Sequence, residues 1–281
     1  MEPLTVLSVC TGNICRSPLS EYLLRNALDG EHFRIASAGT HAVIHGSVPD
    51  QQVKIAQELG LYGIVEHKPH QVTADDIRDA DVILTATLRH RRRVVRTVPL
   101  AANRTFTMQE FAHLIPHVSE TELMELLSMR DRPMRAASLA VHHMRGIVPQ
   151  PAGEDSYDIA DPYGENAKAY RRSAEQLVEA HSTIIEFLKK VEGYAVKLDA
   201  ARSLPPKEAE AILLSARLRS NTAPTLGRAI SIGREPVRTP GRHSFSLPDT
   251  DGTKNNQRRI STPRSADAPR ATRGKHRRYA K

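Results

Sequence analysis

A short loop near the start of the chain constrains the fold more than any other feature. It runs from Cys10 to Ser17 with the sequence Cys-Thr-Gly-Asn-Ile-Cys-Arg-Ser, and Pro18 follows. The preceding stretch, Leu4 to Val9, is apolar and rich in β-branched residues, and the stretch from Pro18 to Leu28 has helical apolar spacing. The loop is therefore expected to join a buried strand to a helix N-terminus, where free amide N–H groups and the helix dipole favour an anion.

The loop combines a nucleophile with groups that bind a tetrahedral anion. Five residues separate Cys10 from Arg16, enough for the backbone to surround one phosphate while the sulfur faces the phosphorus. The amide dipoles and the Arg16 guanidinium, a planar fork of two donors, favour thiolate over thiol. Gly12 permits close approach of the backbone, Asn13 tolerates a left-handed conformation, and Ser17 can donate its hydroxyl to the thiolate. The other expected phosphate-binding positions are Thr11, Ile14 and Cys15.

Alternating strand and helix patterns follow this loop. Further strands are expected at 33–37, 81–85 and 104–107, and helices at 49–59, 87–97, 109–115 and 165–192. The alternation predicts an α/β fold, a small doubly wound (flavodoxin-like) four-stranded parallel sheet with helices on both faces. Such sheets bind ligands at the carboxyl ends of their strands, which is where Cys10 is expected.

Charge divides the chain into two parts. Residues 1–196 contain 21 Lys and Arg against 25 Asp and Glu, a net charge of −4, whereas residues 197–281 contain 19 against 7, a net charge of +12. The first part is long enough for one α/β domain with its own core. The second is rich in Pro, Ser, Thr, Gly and Arg, and is predicted to be a mostly disordered tail with one short helix at 204–219. This tail either contacts an acidic partner or polyanion, or is simply solvated.

These features together resemble the low-molecular-weight protein tyrosine phosphatases of the bacterial kind, with the actinobacterial branch as a narrower option. Beyond the loop, the resemblance is carried by Ser37-Ala-Gly-Thr40, Asp81-Val-Ile-Leu-Thr85, the segment 106–111 and Asp161-Pro-Tyr163-Gly164. It covers residues 1–192 except for 119–150. It implies hydrolysis of phosphotyrosine through a phosphocysteine intermediate on Cys10, with Asp161 as general acid and then general base. A phenolate needs this proton because it is a poor leaving group.

The resemblance also assigns supporting positions. Ser37 and His67 are expected to hold Asn13, although His67 is equally well explained as a surface histidine. Tyr163 is expected to form one wall of the substrate slot. The opposite wall is expected from two residues that are not aromatic, His41 and Val43. Cys15 either forms a reversible disulfide with the nucleophile or only packs the loop.

Residues 119–150 form an insertion relative to the compact family pattern. Ser119 and Glu122 have the spacing of a capping box, and a second helix is expected over 133–144, stopped by Gly146. Because this helical pair leads directly into the acid loop, it either roofs the active site or packs elsewhere on the sheet edge. The sequence favours neither placement.

Composition limits the cofactors and the compartment. The chain has only two cysteines, both in one loop, which argues for a reducing compartment and against a disulfide framework. No cofactor or metal is expected for phosphocysteine chemistry. No apolar run approaches the length of a membrane span, and the protein is predicted to be cytoplasmic. The expected partner is a phosphotyrosine protein, for which a bacterial tyrosine kinase is one option.

Two alternative functions remain open at this level. Arsenate reductases share the fold and the loop, but they usually have Arg-Ser-Gln where this chain has Pro18 after Arg16-Ser17, and they often carry a distant resolving cysteine pair. The other alternative is a regulatory protein that only binds an anion in the loop and acts through its basic tail. Turnover of a phosphoaryl ester separates both alternatives from a phosphatase.

Overall fold

Four parallel strands form a single sheet at the centre of the protein. The computed structural model describes residues 2–129, 131–153 and 155–202. The strands are β1 (Leu4–Cys10), β2 (Phe33–Gly39), β3 (Val82–Thr85) and β4 (Thr105–Thr107), in the spatial order β2-β1-β3-β4. In the register, Leu4 pairs with Phe33 and Val6 with Val82. The predicted four-stranded parallel sheet is confirmed, and the phosphate loop follows the carboxyl end of its central strand β1.

Helices cover both faces of this sheet. They are α1 (Arg16–Ala27), α2 (Asp50–Glu58), α3 (Ala74–Asp79), α4 (Leu88–Thr97), α5 (Met108–Leu114), α6 (Glu120–Met129), α7 (Pro133–His143) and α8 (Ala167–Arg202). Short 3-10 turns occupy Tyr62–Glu66, Pro99–Arg104 and Ile115–His117. The larger core includes Leu19, Phe111 and Leu188 from α1, α5 and α8, and the smaller core includes Ile77 and Val94 from α3 and α4. None of the described helices is long and apolar enough to span a membrane.

Two helices differ from the sequence expectation. Helix α3 was not predicted, although Thr73 and Asp76 form a capping box at its start. Helix α8 begins at Ala167 and continues to Arg202, beyond the end expected at 192. Gly193 lies inside α8 with open space around it, so its cost is limited to helix propensity, about 1 kcal/mol relative to alanine. The expected short helix at 204–219 lies outside the described residues, as does the rest of 203–281.

The helical insertion packs at the sheet edge and at the amino end of the strands. Asp81, immediately before β3, is buried and forms ion pairs with Arg132 at 2.8 Å and Arg135 at 3.1 Å, at the start of α7. Just beyond the other end of α7, Arg145 donates to the carbonyl oxygen of Thr105 on the edge strand β4 at 2.7 Å. The phosphate loop lies at the opposite, carboxyl end of β1. Of the two placements that the sequence left open, the structure shows packing on the sheet edge.

Candidate active site

The first three carbonyl groups of the phosphate loop are turned outward and are satisfied by neighbouring residues. The carbonyl oxygens of Cys10, Thr11 and Gly12 accept hydrogen bonds from the backbone N–H groups of Thr40, His41 and Val43, each at 2.9 Å. Because N–H and C=O point in opposite directions across a trans peptide, the next N–H groups face the inside of the loop. The backbone N–H groups of residues 11–15 have no acceptor within the described part of the chain. This arrangement leaves a ring of donors for an anion.

Asn13 holds the loop in this conformation. Its backbone has φ of 54°, in the left-handed region, which asparagine tolerates better than most residues. Its side-chain Nδ2 donates to Ser17 Oγ at 2.9 Å and to Ser37 Oγ at 2.8 Å. His67 Nε2 lies 3.0 Å from the Asn13 carbonyl oxygen, and His70 N donates to Asn13 Oδ1 at 2.7 Å. The structure thus places Ser37 and His67 against Asn13, and it adds His70, which the sequence reading missed.

The thiol of Cys10 receives a hydrogen bond whose direction is fixed by its neighbours. Ser17 Oγ donates to Cys10 Sγ at 3.0 Å, and both residues are buried. Since Ser17 Oγ accepts from Asn13 Nδ2, its own proton is available for the sulfur. A donor aimed at sulfur stabilises the thiolate, the form that acts as a nucleophile. The relay from Asn13 through Ser17 therefore directs a hydrogen-bond donor at the Cys10 sulfur.

The second cysteine of the loop has a different environment. Cys15 is 3% exposed, and burial, together with the nearby Cys10 and Asp161, raises the pKa of its thiol to about 12. Tyr170 shares a hydrogen bond with this thiol. Cys15 is consequently protonated near neutral pH and does not compete as a nucleophile.

Arg16 and Asp161 meet at the mouth of the loop. Arg16 is 3% exposed, and its two terminal nitrogens donate to the Ile159 carbonyl oxygen at 3.0 Å and to Asp161 Oδ2 at 2.5 Å. The Asp161 side chain is 51% exposed in this pair. The Nε of Arg16 is buried and has no hydrogen-bond partner among the described residues. A phosphate oxygen in the loop would satisfy this donor.

The loop that carries Asp161 is anchored on two sides. Ile159 N donates to the Ala86 carbonyl oxygen at 2.8 Å, just after β3. Asp158 Oδ1 accepts from Leu88 N at 2.7 Å, at the start of α4. Burial raises the pKa of Asp158, and its carboxyl is engaged with this helix start. Asp161 is therefore the carboxylate of this loop that faces Arg16, and Asp158 fastens the loop to α4.

The expected substrate walls lie at the surface around the loop. Tyr163 is 61% exposed, and its backbone N donates to Asp161 Oδ1 at 3.3 Å. Val43 lies over Gly12, where an added Cβ would meet Val43 Cγ2 at 3.2 Å. His41 is exposed next to it. These side chains are accessible to a substrate ring, and their role as walls stays a prediction.

His90 is a site residue that the sequence analysis did not identify. One ring nitrogen lies 2.8 Å from Thr11 Oγ1 and the other 2.7 Å from Thr87 Oγ1. Burial, with the charges of Arg16 and Arg89, lowers the pKa of His90 to about 4, so the ring is neutral at physiological pH. It braces Thr11, the second residue of the phosphate loop, against the start of α4. His90 stands within a run of arginines, and nothing in that pattern indicates this role.

Comparison with known proteins identifies relatives of this site. Residues 5–126 match the family model described as low molecular weight phosphotyrosine protein phosphatase. The chain is 40% identical over 111 residues to a probable low molecular weight protein-tyrosine-phosphatase of Erwinia amylovora, AmsI, which covers 40% of this chain and 73% of that protein. It is 27% identical over 150 residues to the Etp phosphatase of Escherichia coli K12, and the alignment covers 53% of this chain and 90% of that protein.

A third relative has a different named substrate. The protein-arginine-phosphatase of Geobacillus stearothermophilus is 26% identical over 180 residues, which is 62% of this chain and 89% of that protein. Among solved structures, AmsI superposes with a TM-score of 0.47 at 28% identity, covering 66% of this chain and 93% of that one. The arginine phosphatase YwlE of G. stearothermophilus has a TM-score of 0.48 at 26% identity, and the superposition covers 67% of this chain and 94% of that one.

Proposed function

This chain belongs to the low molecular weight protein-tyrosine-phosphatase family, and we propose that it hydrolyses phosphotyrosine in proteins through a phosphocysteine on Cys10. The observation that carries this proposal is the ring of N–H groups, without acceptors among the described residues, around a cysteine with Arg16 and Asp161 at its mouth. Such a ring binds the three outer oxygens of a phosphate and leaves the sulfur in line with the scissile bond.

In the first step, the Cys10 thiolate attacks phosphorus and the bond from phosphorus to the phenolic oxygen breaks. Asp161, as a carboxylic acid, gives its proton to the departing oxygen, so tyrosine leaves neutral. The loop amides and Arg16 stabilise the charge on the equatorial oxygens. For Asp161 to serve, the phosphate must take over its contact with Arg16.

In the second step, water attacks the phosphocysteine and Asp161, now a carboxylate, accepts its proton. The bond between sulfur and phosphorus breaks, inorganic phosphate leaves, and the Cys10 thiolate is restored. Ser17 donates its hydroxyl to the departing sulfur over the 3.0 Å contact. The relay that stabilises the nucleophile therefore also stabilises the leaving group of this step.

A second candidate substrate is phosphoarginine, which the named activity of the G. stearothermophilus relative favours. An arsenate reductase is less well supported. The chain has only Cys10 and Cys15, and the raised pKa of the Cys15 thiol disfavours its action as a resolving nucleophile. The two candidate substrates to distinguish are therefore phosphotyrosine and phosphoarginine.

The test compares one peptide sequence in two forms, with phosphotyrosine or with phosphoarginine at the central position. We expect kcat/KM for phosphate release to be higher with phosphotyrosine, and Cys10→Ser to abolish release while binding is retained. A higher kcat/KM with phosphoarginine would make phosphoarginine the substrate in place of phosphotyrosine. Release of phosphate from neither peptide would contradict the phosphatase proposal itself.

The setting of the reaction is part of the proposal. Free, unpaired thiols at Cys10 and Cys15 support a reducing compartment, and we place the protein in the cytoplasm. A bacterial tyrosine kinase is one proposed substrate. For the basic segment 197–281 we propose contact with an acidic partner or a polyanion, supported by its net charge of +12.

A further inference from the structure

Helix α4 carries an unusual number of arginines beside the phosphate loop. It has no acidic residue in its first turn, and its five arginines are Arg89, Arg91, Arg92, Arg93 and Arg96. Arg91 donates to the Thr105 carbonyl oxygen and lies 3.8 Å from Glu110. The other four are exposed and have no ion pair within the part of the chain that the structure describes.

This arrangement is unfavourable for the helix itself. Arg89 and Arg93 are one turn apart, as are Arg92 and Arg96, and like charges at this spacing repel. Arg89 also lies in the first turn, where the helix dipole disfavours a cation. An anionic partner would offset both effects.

A depression beside the phosphate loop connects these arginines to the active site. It is lined by Thr11, His41, Arg89, Arg93 and Arg96, among others. The neighbouring depression at the catalytic centre is lined by Thr11, Arg16, Arg89, His90 and Asp161, among others. Because the two depressions share Thr11 and Arg89, a peptide whose phosphotyrosine enters the loop can extend its flanking residues over α4.

We propose that Arg89, Arg93 and Arg96, here called the arginine row, select substrates with Asp or Glu close to the phosphotyrosine. This inference rests on the proposed phosphatase function and specifies its substrate class. A guanidinium fork pairs with a carboxylate through two hydrogen bonds. Away from the row, Asp155 and Asp158 line the catalytic depression together with Arg172, so opposite charges offset each other there. The preference therefore applies to the flank that faces His41 and the row.

The test uses two phosphotyrosine peptides that differ only in their flanking residues, Asp in one and Asn in the other. The test variant is Arg93→Gln with Arg96→Gln, which leaves Arg89 and the catalytic loop intact. The matched control is Arg34→Gln with Lys54→Gln, which removes two exposed charges from β2 and α2. Turnover of 4-nitrophenyl phosphate, which has no flanking residues, checks that the catalytic centre is unchanged.

We expect the wild-type protein to favour the Asp peptide in kcat/KM by about fivefold, the effect of two exposed ion pairs. The preference should fall in the test variant, which keeps only Arg89 of the row, persist in the control, and shrink at high salt. Equal turnover of both peptides by the wild-type protein would overturn the inference while leaving the phosphatase function intact. So would equal losses on both peptides in the test variant. Absence of turnover on every substrate would instead overturn the proposed function.

A nucleic acid is the other anion that an arginine row could bind. In that case a single-stranded oligonucleotide would inhibit the wild-type protein more than the test variant, while the two peptides would be turned over equally. That pair of results would also overturn the inference. Inhibition by the oligonucleotide together with the Asp preference would support a shared anion-binding surface, with acidic peptides as its substrates.

Discussion

At the residue scale, the two cysteines of the phosphate loop show how environment divides roles between identical side chains. Cys10 receives the Ser17 hydroxyl at the end of β1. Cys15 is buried beside Tyr170, with its thiol pKa raised to about 12. A thiolate is the nucleophilic form, so the raised pKa of its thiol makes Cys15 unsuited to act as the nucleophile of the proposed mechanism.

This difference predicts unequal effects of the same substitution. Cys10→Ser should lower kcat for 4-nitrophenyl phosphate by at least about 10³-fold, because an alcohol is scarcely ionised near neutral pH. Cys15→Ser should retain most of the activity. Steady-state kinetics measure both, and circular dichroism confirms that both variants fold. Comparable losses in the two variants would contradict the assignment of Cys10 as nucleophile.

The role of Asp161 can be determined from how the rate loss on its substitution depends on the leaving group. General acids typically contribute about 10²–10⁴-fold, and a phenolate of high pKa needs this help more than a nitrophenolate does. Asp161→Asn should therefore depress single-turnover cleavage of phosphotyrosine far more than that of 4-nitrophenyl phosphate. Single-turnover rates are required because dephosphorylation of Cys10 also loses its base.

The control for this experiment is Asp155→Asn, which removes an exposed carboxylate from the same depression. It should leave the leaving-group dependence unchanged. If Asp161→Asn showed no steeper dependence than the wild-type protein, another group would have to supply the proton. Asp158 would be the next candidate, although its carboxyl accepts a hydrogen bond from Leu88 N.

At the element scale, helix α7 is attached to the sheet through one buried carboxylate. Asp81 is 2% exposed, accepts from Thr5 N at 2.9 Å, and pairs with Arg132 and Arg135. Both arginines are about one-third exposed, so solvent screens part of each pair. The carboxylate itself is buried and would leave three donors without their acceptor if removed.

Asp81→Ala should therefore lower the free energy of unfolding by about 2–3 kcal/mol, mainly because three donors around a buried site lose their acceptor. Activity below the unfolding transition should be preserved, because this contact lies at the amino end of the sheet. Urea unfolding at unchanged m-value measures the loss. The control is Asp75→Ala, which removes an 84% exposed partner of Arg78 and should change stability by less than about 1 kcal/mol. A similar loss in both variants would contradict the importance assigned to burial.

The sequence predicted the elements better than their contacts. Apolar runs and turn residues located the four strands, and Gly60 and Gly146, both with positive φ, follow helices as expected. Helix α3 was not predicted because its six residues include few apolar ones and show no apolar periodicity. The extension of α8 beyond 192 was also not predicted, although Ala195 and Leu198 within it are buried.

Contacts between distant residues were the harder part of the site. The motif spacing placed Cys10 and Arg16 in one loop, since they are close along the chain. It could not show that Arg16 and Asp161 form an ion pair, or that His90 lies between two threonines. Nor could it place the insertion, because a helix pattern identifies an apolar face without identifying what covers it.

At the scale of the whole molecule, a buried hydrogen-bond chain links the central strand to the first and last helices. His181 of α8 is 1% exposed, and its Nδ1 donates to the Leu177 carbonyl oxygen at 2.8 Å. In the neutral ring Nε2 must then accept, here from Ser20 Oγ on α1 at 2.7 Å. Ser20 Oγ lies 2.7 Å from Ser8 Oγ on β1. With His181 neutral, Ser20 Oγ donates to Nε2 and therefore accepts from Ser8 Oγ.

The buried His181 predicts that the protein loses stability in mild acid. Burial lowers the pKa of His181 to about 4 in the folded protein, against about 6.5 in an unfolded chain. Between these values the unfolded state binds the proton and the folded state does not, so stability falls as the pH decreases from about 6.5 to about 4. At pH 5 the loss from this group is about 2 kcal/mol relative to neutral pH. His181→Gln keeps an acceptor for Ser20 but cannot titrate, so its unfolding free energy should fall by about 2 kcal/mol less over the same interval. Urea unfolding at neutral pH and at pH 5 measures this difference.

The control is His45→Gln, at an exposed histidine, which should leave the wild-type pH dependence unchanged. A wild-type pH dependence in His181→Gln would show that other groups, such as His90 with its pKa lowered to about 4, control the response to acid.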